Sequence, residues 1–173
     1  KSGKVLDGKP FVISAAKDAQ ERPKVAFGNG VFLVWHDLRG GKDWDVYAAR
    51  VSPEGKVLDP DGIAVAATER NQCEADVAWD GKAFQVLWRG FQEGADPDGD
   101  ILRQKGGFPS IGYHIYGGRV SPEGRLLDGA GVFMAKPPKA GRAPAYNINM
   151  PAVALLPNSK LLSVACSTST PCY

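Results

Sequence analysis

Asp96-Pro97-Asp98-Gly99-Asp100 sets three carboxylates on alternate residues of a turn-forming stretch. Alternate side chains of a tight turn converge, and converging carboxylates suit Ca²⁺, which takes about 6–8 oxygen ligands. The calcium-loop pattern then asks for Gly at its sixth position and Glu at its twelfth. Here those positions are Ile101 and Gly107. The partial match leaves two readings of Asp96, Asp98 and Asp100: a Ca²⁺ ligand set, or a solvated acidic turn whose Pro and Gly set the bend. Asp59-Pro60-Asp61-Gly62 reads as a plain turn.

Trp44, Phe91, Phe108 and Tyr113 lie in or beside the segments that join apolar runs, close to Asp and Arg. Aromatics so placed can stack on sugar rings or anchor a protein partner, the alternative being loop packing. His36 and His114, the two histidines, come from different strand contexts and suit local hydrogen bonding better than a metal or acid–base pair. Arg39, Arg89 and Arg103 are numerous enough to hold an acidic sugar, but no spacing brings them together. Nor does any spacing select a carboxylate pair for glycoside hydrolysis. No nucleophile elbow, P-loop, dinucleotide fingerprint or H-E-x-x-H pattern occurs. Three cysteines are too few for a disulfide scaffold. Cys166 and Cys172 are expected to close a small loop, leaving Cys73 odd; a bridge from Cys73 and free thiols are the alternatives. Their spacing fits no zinc or haem pattern.

The elements that must position these residues repeat. Asp45–Asp59 returns as His114–Asp128, with Tyr47, Arg50, Val51, Ser52, Pro53, Glu54, Gly55, Leu58 and Asp59 matched by Tyr116, Arg119, Val120, Ser121, Pro122, Glu123, Gly124, Leu127 and Asp128. The tail of the unit also opens the chain as Ser2-Gly3-Lys4-Val5-Leu6-Asp7. A repeat of this length names a supersecondary unit that stacks on its own copies. Recurrence of Arg50/Arg119 and Glu54/Glu123 at equivalent positions assigns them to packing and turns rather than to a single site. From Trp35 to Tyr47 is 12 residues and from Trp88 to Tyr116 is 28, so residues 89–112 hold an insertion.

Each unit offers short strand-like runs. They are Phe11–Ser14, Lys24–Phe27, Val31–Trp35 and Val46–Val51; then Ile63–Ala66, Asp76–Trp79, Phe84–Trp88 and Ile115–Val120; then Val132–Ala135, Pro151–Leu155 and Leu161–Ala165. Gly28-Asn29-Gly30 and Asp80-Gly81-Lys82 supply hairpin turns. Pro23 and Pro151 are expected to open their strands, where the missing N–H is spared. Val31–Trp35 is apolar without alternation, which calls for burial on both faces and so for a small sheet held between neighbours. Trp35 and Trp88 belong to that core. No segment carries a helical period.

Pro-x-Val-Ala at Pro23–Ala26, Gly-x-Phe-x-Val-Trp at Gly30–Trp35, Asp-Val-Tyr-x-x-Arg-Val at Asp45–Val51 and Pro-x-Gly-x-x-Leu at Pro53–Leu58 resemble the blades of secreted bacterial β-propeller repeat proteins. That family includes parts of large cell-surface proteins, and related propellers include sialidase-like glycosidases and lectins. The resemblance covers nearly the whole chain. The third copy departs from it, with no Trp after Leu162. It implies an all-β fold of four-stranded antiparallel β-propeller blades, about two and a half to three blades of an incomplete propeller. Residues 1–173 then form one arc, in units of about 1–51, 52–120 with the insertion, and 121–173.

Composition narrows the rest. Lys and Arg number 21 against 19 Asp and Glu, a net charge of +2 that argues against nucleic-acid binding. No apolar run reaches the ~20 residues of a membrane-spanning helix. Gly (21) and Pro (13) read as turn punctuation. Lys1 reads as a processed terminus or as the start of a piece of a longer chain. Propellers close with about 4–8 blades, so this arc is expected to be completed by further sequence or by another chain. The expected function is a non-enzymatic scaffold or binding module of a secreted or cell-surface protein, with no cofactor beyond the candidate Ca²⁺. The alternatives are part of a propeller glycoside hydrolase and a carbohydrate-binding lectin.

Overall fold

The computed structural model describes residues 9–69, 71–90, 114–135, 147–155 and 161–168, with side chains described through 135 and at 151–154. The described residues form ten strands: β1 (Gln20–Gly28), β2 (Gly30–Asp37), β3 (Asp45–Val51), β4 (Ile63–Ala66), β5 (Gln72–Trp79), β6 (Phe84–Gly90), β7 (His114–Val120), β8 (Val132–Ala135), β9 (Asn147–Leu155) and β10 (Leu161–Thr168). No helix occurs among them, as the absence of a helical period requires. They build two four-stranded antiparallel sheets, β1-β2-β3-β4 and β5-β6-β7-β8, and the antiparallel pair β9-β10.

The grouping is offset by one strand from the phase read in the sequence. Ile63–Ala66 pairs with β3 and closes the first sheet, and Val132–Ala135 pairs with β7 and closes the second. Residues 11–14, expected to be a strand, carry none. The offset has a local cause. The Pro-Glu-Gly turn folds the chain back on its own strand, with Val51 bridged to Val57 and Val120 to Leu126, so the next run lies beside the strand it follows. Ser52 and Gly55, like Ser121 and Gly124, make the same turn bond, N–H to carbonyl at 2.9 Å in both copies.

The first two sheets match in register: Val31 faces Val51 and Trp35 faces Tyr47 in one, as Phe84 faces Val120 and Trp88 faces Tyr116 in the other. They also share their irregularities. Arg22 and Pro23 of β1 lie opposite Trp35 alone, and Glu74 and Ala75 of β5 opposite Trp88 alone. Met150 and Pro151 of β9 face Ala165 in the same way. These are β-bulges, each setting two residues against one. Pro23 and Pro151 therefore do not open their strands. They sit inside them, at bulge positions with no ladder partner, where a missing N–H leaves nothing unpaired.

The second sheet lies between the other two: β5 packs on β1 and β2, and also on β9, which β6 touches as well. Between the first two sheets a core joins Phe32, Val34, Val46, Ala48 and Val65 to Ala75, Val77, Phe84, Val86 and Trp88. The rings of Phe32 and Phe84 stack with centroids 4.3 Å apart and planes 11° from parallel. The sheets approach closely because Gly28 has no side chain. A Cβ there would lie 2.5 Å from Cδ2 of Trp79, inside any tolerable contact. Gly131, with φ +98°, similarly lies against the Trp88 ring.

Candidate functional site

Two places concentrate buried or perturbed polar groups. The first is the end of the first sheet where β2 turns into β3. Asp37 closes β2 and is fully buried. It accepts hydrogen bonds from Trp35 Nε1 at 2.8 Å, Arg39 N at 2.9 Å, Arg39 Nε at 2.8 Å and Arg39 Nη2 at 2.6 Å. Burial alone would raise its carboxyl, but these donors outweigh it and hold it below the usual carboxylate range. The Arg39 guanidinium stacks on the Tyr47 ring, 3.8 Å from its centroid, and also donates to the Asp61 carbonyl. Its geometry is thus committed to holding the β2–β3 connection.

Across the ladder from Asp37 stands Asp45. Burial, then the negative charges of Asp37 and Asp43, push its carboxyl up to about 6. This end of the sheet holds one carboxylate locked in its charged form beside another that takes up a proton close to neutrality. Trp44, between them, is half-buried. Its N–H donates to Asn71 Oδ1 at 2.9 Å and its carbonyl accepts from Gln72 N at 2.6 Å. Its ring meets His36 edge-on, with centroids 6.2 Å apart. Trp44 ties the loop to the link between the first two sheets.

The second place is the seam at the β5 bulge. The bulge leaves the Ala75 N–H without a ladder partner, and His36 of the neighbouring sheet accepts it at Nε2, 3.3 Å away. That role requires a neutral imidazole. Burial, and then the charges of Arg22 and Arg89, lower its pKa to about 4. Glu74, at φ 53°, faces two guanidinium groups, with Arg22 Nη1 3.7 Å and Arg89 Nε 3.6 Å from its oxygens. Arg89 is fully buried and donates through Nη2 to Cys73 Sγ at 3.5 Å. Arg39 and Arg89, both considered for binding an acidic sugar, instead stand in separate structural roles. Arg103 lies outside the described residues.

Cys73 is disulfide-bonded. With two other cysteines in the chain, that bond is incompatible with the expected Cys166–Cys172 bridge. Short loop spacing favoured the local pair, whereas stacking of successive sheets brings distant segments together.

Of the other residues singled out in the sequence, Asp96, Asp98, Asp100, Phe91, Phe108 and Tyr113 lie outside the described residues, as does the insertion. Among the described residues no group of three His, Cys, Asp or Glu side chains could hold a metal, and no helix is long and apolar enough to cross a membrane. His36 and His114 do not form a pair: His36 serves the seam, and His114 packs edge-on against Phe133 at 5.4 Å. Sequence reasoning missed Asp37, Arg39 and Asp45 as a cluster. The nearest signal was Asp37-Leu38-Arg39 directly after a buried strand, a spacing that lets Arg fold back on Asp.

Comparison with known proteins places nothing beside this chain. No family model, curated protein or solved structure matches it.

Proposed function

We propose that this chain is an arc of a β-propeller that serves as a non-enzymatic scaffold or binding module of a secreted or cell-surface protein. The observation that carries the reading is the equivalent placement of the charged pairs. Arg50–Asp59 and Arg119–Asp128 occupy matching positions in successive sheets, with closest approaches of 2.8 and 2.6 Å. Groups that recur sheet by sheet build an array, and a catalytic centre would have to be unique to one place in it. Face-to-face packing of small antiparallel sheets, first strand near first strand, supports the propeller geometry.

The glycoside-hydrolase reading draws on Asp45, a carboxyl able to hold a proton near neutrality. The lectin reading draws on Trp44 and on the Asp96, Asp98 and Asp100 turn as a Ca²⁺ holder. A panel of fluorogenic glycosides, sialosides included, separates the first alternative: the scaffold reading expects no release above blank. Turnover abolished by Asp45→Asn would replace it with the hydrolase. Glycan-array binding that requires Ca²⁺ and disappears in Trp44→Ala would replace it with the lectin.

A further inference from the structure

By ladder register, Arg50, Ile63 and Val65 of the first sheet correspond to Arg119, Val132 and Met134 of the second. The first set is covered by the second sheet. Val65 is 3% exposed, and Ile63 packs against the shared core. Over Arg50 and Ile63 lies the turn at residues 121–124. Arg50 Nη1 donates to the Pro122 carbonyl at 3.1 Å, and a Cβ on Gly124 would lie 3.0 Å from both Arg50 Nε and Ile63 Cδ1. The Glu123 charge further favours the Arg50 guanidinium. The second set is open: Val132 and Met134 are each 52% exposed, and the Arg119 side chain 51%. Arg119 holds Asp128 through Nε and Nη2, which leaves Nη1, the nitrogen that Arg50 turns to Pro122, directed to other partners.

This open surface continues a covered one. Leu87 and Met134 both lie against Gly117 and so share a face of the second sheet. Leu87 stands across the ladder from Asp76, whose Oδ2 accepts the Val153 N–H of β9 at 2.9 Å. The third sheet thus covers the half of the face near β5, and the half near β8 stays bare. We propose that this bare half, Arg119 with Val132 and Met134, receives an acidic Pro-Glu-Gly turn of a partner protein. The proposal rests on the binding-module reading and names the partner's chemistry. The occupied copy sets the requirements. A turn carbonyl must reach Arg119 Nη1, as Pro122 reaches Arg50. A carboxylate in the next residue complements the solvated guanidinium. The residue after that must be glycine, because its Cβ would press on the arginine and the β-branched side chain, and its φ of +83° suits no other residue as well. Val132 and Met134 supply the apolar contact. Gly117, in place of Ala48, lets the Met134 thioether lie down on the sheet as an adaptable floor.

The probe is a head-to-tail cyclised peptide of residues 120–126, whose ends already face each other in the Val120–Leu126 bridge. Titrated into the full chain carrying methyl-labelled methionine, it is expected to shift the Met134 signal, assigned with Met134→Leu, in a saturable way. Gly124→Ala in the peptide is expected to abolish the shift, and Glu123→Gln to weaken binding about two- to fivefold. On the protein side, Arg119→Ala is expected to abolish it. Met134→Glu, at an exposed position outside the Asp128 lock, is expected to do so with unchanged far-ultraviolet circular dichroism. No Met134 shift with peptide at about 1 mM overturns the proposal. So does binding that survives Gly124→Ala, because the close approach would then be absent. Self-association of the chain alone that Met134→Glu abolishes would assign the surface to a second copy and also overturn it. None of these outcomes touches the non-enzymatic scaffold reading, which falls to turnover or glycan binding.

Discussion

Arg50 grips both carboxylate oxygens of Asp59, Nε to Oδ2 and Nη2 to Oδ1 at 2.8 Å each, and its third nitrogen reaches the Pro122 carbonyl of the next sheet at 3.1 Å. The Asp59 carboxylate also accepts the Arg50 N–H at 2.9 Å. Burial pushes the Asp59 carboxyl up, and these donors more than reverse it. One side chain thus locks the Pro-Glu-Gly turn and joins two sheets. Arg119 and Asp128 repeat the local lock, but the Arg119 side chain is 51% exposed against 22% for Arg50.

That asymmetry predicts unequal losses from equal changes. Asp59→Ala removes the partner of a mostly buried guanidinium and should cost about 2 kcal/mol. Asp128→Ala, whose arginine is solvated, should cost distinctly less. Urea unfolding of the two variants checks the order. Equal losses would show that the contact with Pro122 contributes nothing.

The meeting of Gly28 with Trp79 predicts a position intolerant of any side chain. Gly28→Ala forces the first two sheets apart or turns the Trp79 ring out of its place, with a loss of roughly 2–3 kcal/mol. Trp79→Ala in the same background should relieve the clash, so the double variant should lose less than the sum of the two single ones. A double-mutant cycle by thermal unfolding reads the coupling.

Two groups oppose each other in acid. His36, lowered to about 4, contributes stability that is present above its ordinary pKa of 6.5 and lost as the pH falls through 4. Asp45, raised to about 6 from 3.8, does the reverse: its charge burdens the folded state at neutral pH, and the burden lifts as the pH falls from about 6 toward 3.8. The wild-type chain should therefore change little in stability across this window. Asp45→Asn should raise the melting temperature near neutrality and become acid-labile below about pH 6. His36→Gln, which retains an acceptor for Ala75, should instead gain stability on mild acidification. Melting curves at stepped pH distinguish the three proteins. Below the ordinary carboxylate range, protonation of Asp37 and Asp59, both lowered, should unfold all of them.

The bond at Cys73 predicts that the denatured, unreduced chain offers one thiol to a titrating reagent, and the reduced chain three. Cys73→Ser should cost about 2–4 kcal/mol. Three thiols without reduction would contradict the bridge.

Much of the architecture was legible because it depends on periodicity. Short apolar runs, hairpin turns at Gly28–Gly30 and Asp80–Lys82, and the doubled segment around Arg50 and Arg119 mark strands and their recurrence through local residue order alone. Strand grouping was less legible. Ile63–Ala66 looks like the start of a unit because it follows a turn, yet it closes the sheet before it, since the turn returns the chain along β3. The bulges were invisible, because a two-against-one pairing depends on both strands at once. Pro23 hinted at one but was equally consistent with a strand end.

The sequence by itself determined the all-β character, the short strands and the turn chemistry, because each follows from residues a few positions apart. Only the tertiary structure decided that Asp37 and Asp45 stand opposite each other with divergent proton affinities, that His36 serves the neighbouring sheet, and that Cys73 is bridged. It also decided that Val25 and Phe27 remain uncovered while Val77 and Val153 do not. All four depend on what lies across a ladder or a sheet interface. Burial and charge proximity there are properties of the folded neighbourhood, and similar valines in similar strands become core or surface according to whether a sheet packs on them.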